Sequence, residues 1–175
     1  RLKIIMEYTS AEANKLLKKL NDTYQALLYE EEQSSTFLAA KGEDLETLRP
    51  EYDYRGTQEA LHKLEENIIA VKHAINIFNT THTLEGFSMT VDRALVYLPL
   101  LSARVKKLGE MKARLPKARE NHDRYTGYSN IVDYRHINYD RLEAAKEYDT
   151  AFDELCRLQT ALDTTNNNEK FEINL

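Results

Sequence analysis

Residues 57–78 read TQEALHKLEENIIAVKHAINIF, and this stretch decides the fold. Its apolar residues recur alternately three and four positions apart, which is the spacing of one face of an α-helix. The same spacing forms the seam of a coiled coil or of a helical hairpin. A long helix with one apolar face needs a partner, so we predict that the chain packs through helical hairpins. The residues on this seam are Leu61, Leu64, Ile68, Val71, Ile75 and Phe78.

Two further helices are predicted on either side of this seam. The first opens with Thr9-Ser10-Ala11-Glu12, a capping-box pattern, and its helical spacing continues to about residue 33. The other begins at Thr90, and Pro99 is expected to kink it because proline removes one helical hydrogen bond. Pro116 is expected to end it. Its apolar residues are Ala94, Leu98, Leu101, Val105, Leu108 and Leu115.

A fourth helix is predicted after Asp140, and it ends near residue 166 in a run of asparagines. Cys156 lies beside its apolar stripe, so we interpret that cysteine as a small core residue. The stripe itself consists of Leu142, Ala145, Tyr148, Phe152, Leu155 and Leu162.

Three short segments alternate apolar and polar residues with a period of two, which predicts strands. They are residues 2–8, residues 131–139 and residues 171–175. Because an isolated hairpin is marginally stable in water, we expect all three to form one small sheet that holds the first and last of these segments. The predicted class is α+β, mostly α: four main helices in antiparallel hairpins with a small sheet, in a single domain over residues 1–175.

Composition narrows the functional classes. The net charge of −5 disfavours general coating of nucleic acid, which needs many cationic side chains. No apolar run is long enough to span a bilayer as a helix, and no secretory leader pattern is visible, so we expect neither membrane insertion nor export. Cys156 is the single cysteine and cannot form a disulfide within the chain, which favours a cytoplasmic location.

The segment Ala74-Ile75-Asn76-Ile77-Phe78-Asn79-Thr80-Thr81 is followed by a loop containing Gly86 and by Thr90-Val91-Asp92. Together with the tyrosine-rich segment 130–139 and the asparagines near residue 166, it resembles the DIP1984 family, some of whose members are labelled septicolysin. That family is bacterial and largely uncharacterised, and the resemblance implies a long helical hairpin with a little sheet. It implies no catalytic residues. The chain departs from the family in lacking tryptophan and in its acidic loop.

Charge is distributed unevenly along the chain. Residues 30–53 hold eight acidic and two basic side chains, and residues 104–124 hold eight basic and three acidic ones. Such patches pair between identical subunits, pair within one chain, or remain two solvated faces that never meet. The acidic patch is Glu43, Asp44, Glu46, Glu51 and Asp53, and the basic patch is Arg104, Lys106, Lys107, Lys112, Arg114, Lys117 and Arg119.

A polar cluster closes the second predicted helix, and it consists of Asn76, Asn79, Thr80, Thr81 and His82. Asparagine and threonine at a helix end commonly bond to free carbonyl groups and shape the turn. A small polar ligand or a subunit contact is the alternative, since the next predicted helix starts nearby in sequence and presents N–H groups.

A metal hypothesis rests on Glu59, His62, Glu66 and His73, which share nearly one helical face. Carboxylate-bridged metal bundles use a Glu-x-x-His step of this kind. They also need a second such step on another helix, which the chain does not offer, so a solvated helix face is the better interpretation and we predict no metal or cofactor.

The sequence favours a cytoplasmic, homo-oligomeric structural or interaction protein without catalysis of its own. Its apolar helix seams would contact sister subunits, registered by the acidic segment near Glu43 and Asp53 and the basic segment near Lys107 and Arg114. The alternative is binding of RNA or a phosphate-rich ligand through segment 104–124, which Arg124, Tyr125 and Tyr128 extend. An acidic partner also fits that segment. A metal-dependent enzyme is less favoured.

Overall fold

The computed structural model describes residues 5–120 and 132–175. This part of the chain contains five helices and four short strands. The predictions that involve Leu2, Ile4, Arg124, Tyr125, Tyr128 and Ile131 lie outside the described residues. The elements in chain order are β1 (Ile5–Thr9), α1 (Ser10–Ser34), α2 (Leu45–Leu48), α3 (Tyr54–Thr81), α4 (Val91–Ala113), β2 (Lys117–Arg119), β3 (Tyr134–His136), α5 (Arg141–Asn168) and β4 (Lys170–Asn174).

The chain divides into two compact units. The first consists of Arg1–Thr83 and Asp163–Leu175, and the second of Leu84–Leu162. Helix α5 begins in the second unit and ends in the first. The single domain expected from the length of the chain stays a prediction.

In the first unit, α1 and α3 form an antiparallel helical hairpin. Near one end, the buried Ala13 of α1 shares a core cluster with Val71 of α3. Farther along, the Tyr24 hydroxyl donates a 2.9 Å hydrogen bond to Glu65 Oε1. Residues later in α1 therefore contact residues earlier in α3, so the two helices run antiparallel. This is the helical hairpin predicted from the apolar seam of residues 57–78.

The ends of this unit meet in a two-stranded sheet. Strand β1 pairs antiparallel with β4, so that Tyr8 lies opposite Phe171. Ile173 of β4 is fully buried in the cluster with Ala13 and Val71. Phe171 stacks on Phe78 of α3 with 4.7 Å between the ring centroids. These contacts hold the strands on α3, because each buries apolar surface that an isolated strand pair would leave in water.

In the second unit, α4 and α5 run antiparallel. Lys112 near the end of α4 lies 3.0 Å from Asp149 of α5, and Tyr97 near the start of α4 bonds to Glu154 farther along α5. A Cβ at Gly109 would come within 3.2 Å of the Tyr148 ring, so the glycine permits this close approach. The buried apolar residues of this unit are Leu84, Val91, Ala94, Leu101, Val105, Leu108, Ala144, Ala151, Leu158 and Leu162.

Two details of the predicted fold were wrong. Segment 131–139 does not join the strands at the chain ends; its part Tyr134–His136 pairs antiparallel with Lys117–Arg119 in a separate two-stranded sheet. The other error concerns α5, where Leu142 and Phe152 are exposed and the buried stripe is Ala144, Ala151, Leu158 and Leu162. Cys156 is therefore exposed rather than a core residue, because two helical positions separate it from Leu158.

The class and the four main helices were predicted correctly. The capping box is present: the backbone N–H of Thr9 donates to Glu12 Oε2 over 2.9 Å, and the N–H of Glu12 donates to Thr9 Oγ1 over 3.2 Å. Asp140 Oδ1 accepts from the N–H groups of Leu142 and Glu143 at the start of α5. Helix α4 continues through Pro99.

Candidate self-association surface

One face of α4 is exposed although it carries large apolar residues. Val96 and Leu100 are 67% and 64% exposed, and they lie one turn apart. The neighbouring Leu101 is fully buried, because it is rotated by about 100° from Leu100 and lies on the core side of the helix with Val105. The residues that share the exposed side, called the outer face of α4 from here on, are Arg93, Val96, Leu100, Ala103, Arg104 and Lys107.

A shallow groove of about 470 Å³ lies at the beginning of this face. Val96, Tyr97 and Leu100 line it from α4, and Glu154 lines it from α5. The Tyr97 hydroxyl donates a 3.0 Å hydrogen bond to Glu154 Oε1. Burial and this bond to a carboxylate raise the pKa of Tyr97. On its α4 side the groove combines the apolar Val96 and Leu100 with the charged Asp92 and Arg93, and the hydrogen-bonded pair of Tyr97 and Glu154 lies at its border.

The acidic patch lies in residues 36–53, called the acidic loop, and most of its carboxylates shape that loop. Glu43 Oε2 accepts a 2.7 Å bond from the N–H of Ala40, and Asp44 Oδ1 caps α2. Asp53 caps the start of α3 by accepting from the N–H of Gly56. Glu46 forms an exposed ion pair with Arg49 at 3.1 Å, and Glu51 is exposed.

The acidic loop also carries exposed apolar residues. Leu38 is 96% exposed, and Leu45 and Leu48 of α2 are also exposed. Leu45 and Leu48 are three residues apart on the helix, so their side chains are neighbours on one side. The loop therefore combines acidic and apolar groups, just as the outer face of α4 combines basic and apolar groups.

The basic patch is exposed throughout the described part of segment 104–124. Two of its lysines have partners: Lys112 pairs with Asp149 and lies 4.5 Å from the centroid of the Tyr148 ring, and Lys117 lies 4.0 Å from that of Tyr134. Arg104 and Lys107 lie on the outer face of α4. Lys106 is on another side of the helix, Arg114 follows the last turn, and Arg119 is in β2.

The polar cluster at the end of α3 uses its hydroxyls locally. Thr80 Oγ1 donates to the carbonyl of Asn76 over 2.9 Å, and Thr81 Oγ1 donates to that of Ile77 over 2.7 Å. The His82 ring stacks on Phe78 with centroids 4.7 Å apart. Asn79 is half-buried. These bonds serve the helix-ending role that the sequence also allowed, and ligand binding by this cluster stays a prediction.

The metal candidates lie on the exposed surface of α3. His62 Nε2 is 3.5 Å from Glu66 Oε1, and Glu59 is exposed. His73 is eleven residues from His62, which is about 16 Å along a helix. Within residues 5–120 and 132–175, no three histidine, cysteine, aspartate or glutamate side chains come together as a group able to hold a metal ion.

The outer face of α4 was not predicted from the sequence, although a signal for it exists. Residues 94–101 read ALVYLPLL, an unbroken apolar run that covers every side of a helix. A helix that is apolar all round is either buried on all sides or has a second apolar contact to make. Only the stripe through Leu101 and Val105 was assigned from the sequence, so the side with Val96 and Leu100 stayed unassigned.

The fold and this surface define a mostly helical α+β protein built from antiparallel helical hairpins with short strands. No family model matches the chain, and no curated protein matches it closely enough to count as a relative. Among solved structures, the chain is similar to a functionally unknown conserved protein from Corynebacterium diphtheriae, with a TM-score of 0.54 and 20% sequence identity. The match covers 95% of this chain and 99% of that one.

This similarity supports the architecture, and assignment to the DIP1984 family stays a prediction. At 20% identity it shows the fold alone. In the described part of the chain, no helix combines the length and apolar character needed to cross a bilayer.

Proposed function

We propose that the chain is a self-associating structural or interaction module without catalysis of its own, acting in the cytoplasm. The observation that carries the proposal is the exposure of Val96 and Leu100 on the outer face of α4. Contiguous apolar surface of this kind marks contact sites for other protein surfaces, since water contact with it is unfavourable.

The geometry supports self-association in a second way. Val96 and Leu100 project from a helix whose other side is fixed by Leu101 and Val105 in the core. The exposed pair is therefore held on a rigid element, and its burial by a partner loses little conformational freedom. Basic residues border the pair, as a polar rim borders an apolar interface centre.

Light scattering of the purified protein at low and at high salt tests the proposal. We expect a mass that is a multiple of the 20.4 kDa of one chain at low salt. High salt screens the charged rim but strengthens apolar contact, so an assembly is expected to persist there. A monomer under both conditions would contradict the proposal.

A further inference from the structure

The acidic loop and the outer face of α4 are complementary in two properties. Glu46 and Glu51 of the loop are exposed acids, and Arg104 and Lys107 of the face are exposed bases. Each surface also presents a pair of large apolar side chains: Leu45 with Leu48, and Val96 with Leu100. Two surfaces that match in charge and in apolar content favour each other over partners that match in only one of these respects.

The spacing of the apolar side chains also matches. Leu45 and Leu48 are three residues apart in α2, and Val96 and Leu100 are four residues apart in α4. Side chains at either separation are neighbours on a helix surface, with roughly 5–6 Å between Cβ atoms. Each pair therefore presents two adjacent apolar side chains to a facing helix.

The acidic loop is ordered by its own hydrogen bonds before any partner binds. The carboxylate of Glu43 accepts from Ala40, and the N–H of Glu43 donates back to the Ala40 carbonyl over 3.1 Å. Gly42 between them has φ +95°, a backbone conformation that glycine adopts without strain. Leu45 and Leu48 follow this turn and are exposed, and a loop that is already closed loses less conformational entropy on docking.

We propose that the acidic loop of one copy docks on the outer face of α4 of a second copy. Leu45 and Leu48 pack on Val96 and Leu100, while Glu46 and Glu51 face Arg104 and Lys107. Each copy supplies one loop and one face, so the contact closes either reciprocally in a dimer or head to tail in a ring. The inference rests on the proposed self-association and names the surfaces that carry it.

Two charge-reversed variants test the pairing. The loop variant carries Glu46→Lys and Glu51→Lys. It leaves in place Glu43, Asp44 and Asp53, whose carboxylates accept hydrogen bonds from backbone N–H groups of the loop or of the first turn of α3. The face variant carries Arg104→Glu and Lys107→Glu. The control for the loop variant is Asp22→Lys with Glu32→Lys, and the control for the face variant is Lys18→Glu with Lys19→Glu. Each control makes the same change in net charge as its variant, at exposed positions of α1.

Sedimentation at low salt gives the outcome, with circular dichroism confirming that each variant is folded. We expect either variant alone to raise the dissociation constant roughly tenfold or more, since like charges would face each other. The control variants should assemble as the wild type does. An equimolar mixture of the loop and face variants should regain assembly, because the reversed loop of one now faces the reversed α4 of the other.

Different results would contradict the pairing of the acidic loop with α4 and the proposed self-association. If both variants assemble as the wild type does, another surface holds the oligomer, and the loop pairing is wrong while self-association stands. If the mixture stays dissociated, the pairing is likewise overturned. If the wild type itself is a monomer at every concentration, self-association fails and the pairing between copies fails with it.

Discussion

The Tyr52 hydroxyl donates a 2.5 Å hydrogen bond to Glu31 Oε1, and Gln58 Nε2 donates to the same oxygen over 2.6 Å. One carboxylate near the end of α1 therefore holds both the last residues of the acidic loop and the first turns of α3. Since the loop connects these two helices, Glu31 fixes the position of the loop's last residues beside the end of α1. The conformation in which the loop presents its leucines depends on this anchor.

Removing the Tyr52 hydroxyl should loosen the acidic loop. Tyr52→Phe deletes the donor to Glu31 and leaves the ring in place. We expect backbone amides of the loop to exchange with solvent several-fold faster, because local opening no longer breaks this bond. Hydrogen exchange read by mass spectrometry checks this. Tyr29→Phe on the exposed surface of α1 is the matched control, and equal exchange in both variants would show that the bond does not anchor the loop.

The same contact makes the protein sensitive to alkaline pH. The hydrogen bond to the Glu31 carboxylate raises the pKa of Tyr52 from its ordinary value of 10.0 to about 12. A folded-state pKa above that of the unfolded chain gives stability that is fully present below pH 10 and lost as the pH rises toward 12. The urea midpoints of the wild type and Tyr52→Phe should therefore converge over this interval.

Absorbance of the tyrosinate form provides the direct check on Tyr52. The difference between the titrations of the wild type and Tyr52→Phe should show one group ionising near pH 12. In Glu31→Gln the carboxylate charge is gone, so the pKa of Tyr52 should fall toward its ordinary value. A difference curve centred near pH 10 in the wild type would contradict the anchor.

Adjacent leucines of α4 should respond oppositely to truncation. Leu101 is fully buried, and Leu101→Ala should lower the free energy of unfolding by about 2–5 kcal/mol because it leaves a cavity in the core. Leu100→Ala should change that free energy in dilute monomer by only about 0.5 kcal/mol or less, as is usual for exposed sites. Urea unfolding at low protein concentration measures both. Similar losses for the two would show that Leu100 has core contacts.

The capping box at the start of α1 should make the protein sensitive to acid. Thr9→Ala should cost about 1 kcal/mol of stability, because it removes the acceptor for the N–H of Glu12, whereas Thr9→Ser keeps an acceptor there.

The backbone N–H of Thr9 lowers the pKa of Glu12 from 4.5. This contribution to stability is present above about pH 4.5 and is lost as the pH falls through the lower folded-state value.

Glu12→Gln distinguishes the acid sensitivity due to Glu12 from the acid sensitivity due to other carboxylates. The amide retains an acceptor but does not ionise, so its urea midpoint should fall less than that of the wild type between pH 5 and pH 3. Parallel pH curves for the two proteins would show that the carboxylate of Glu12 contributes nothing to acid unfolding.

The sequence predicted the main helices because their signals are local. The seam from Leu61 to Phe78 and the box at Thr9 and Glu12 depend on spacing within one helix. The stripe of α5 was harder to predict because Ala144 and Ala151 mark the buried side, while the larger Leu142 and Phe152 face solvent. A ranking by side-chain size points to the wrong face there.

Strand pairing and the candidate surface depend on relations that no short window contains. Period-two alternation identified β1, β3 and β4 but not β2 (Lys117–Arg119). It also did not determine that Tyr134–His136 pairs with β2 instead of with Ile173 and its neighbours. The contact of Tyr52 with Glu31 joins residues 21 positions apart. For the outer face of α4, the composition of residues 94–101 carried the signal, and only the folded helix shows which side the core leaves exposed.

Sedimentation equilibrium of Leu100→Lys beside the wild type decides whether the outer face of α4 joins copies of the chain, because the substitution places a charge in the middle of that face. We expect a multiple of the 20.4 kDa chain mass for the wild type and the mass of a single chain for the variant, with the same helical content in both. Equal masses for the two proteins at every concentration would contradict it.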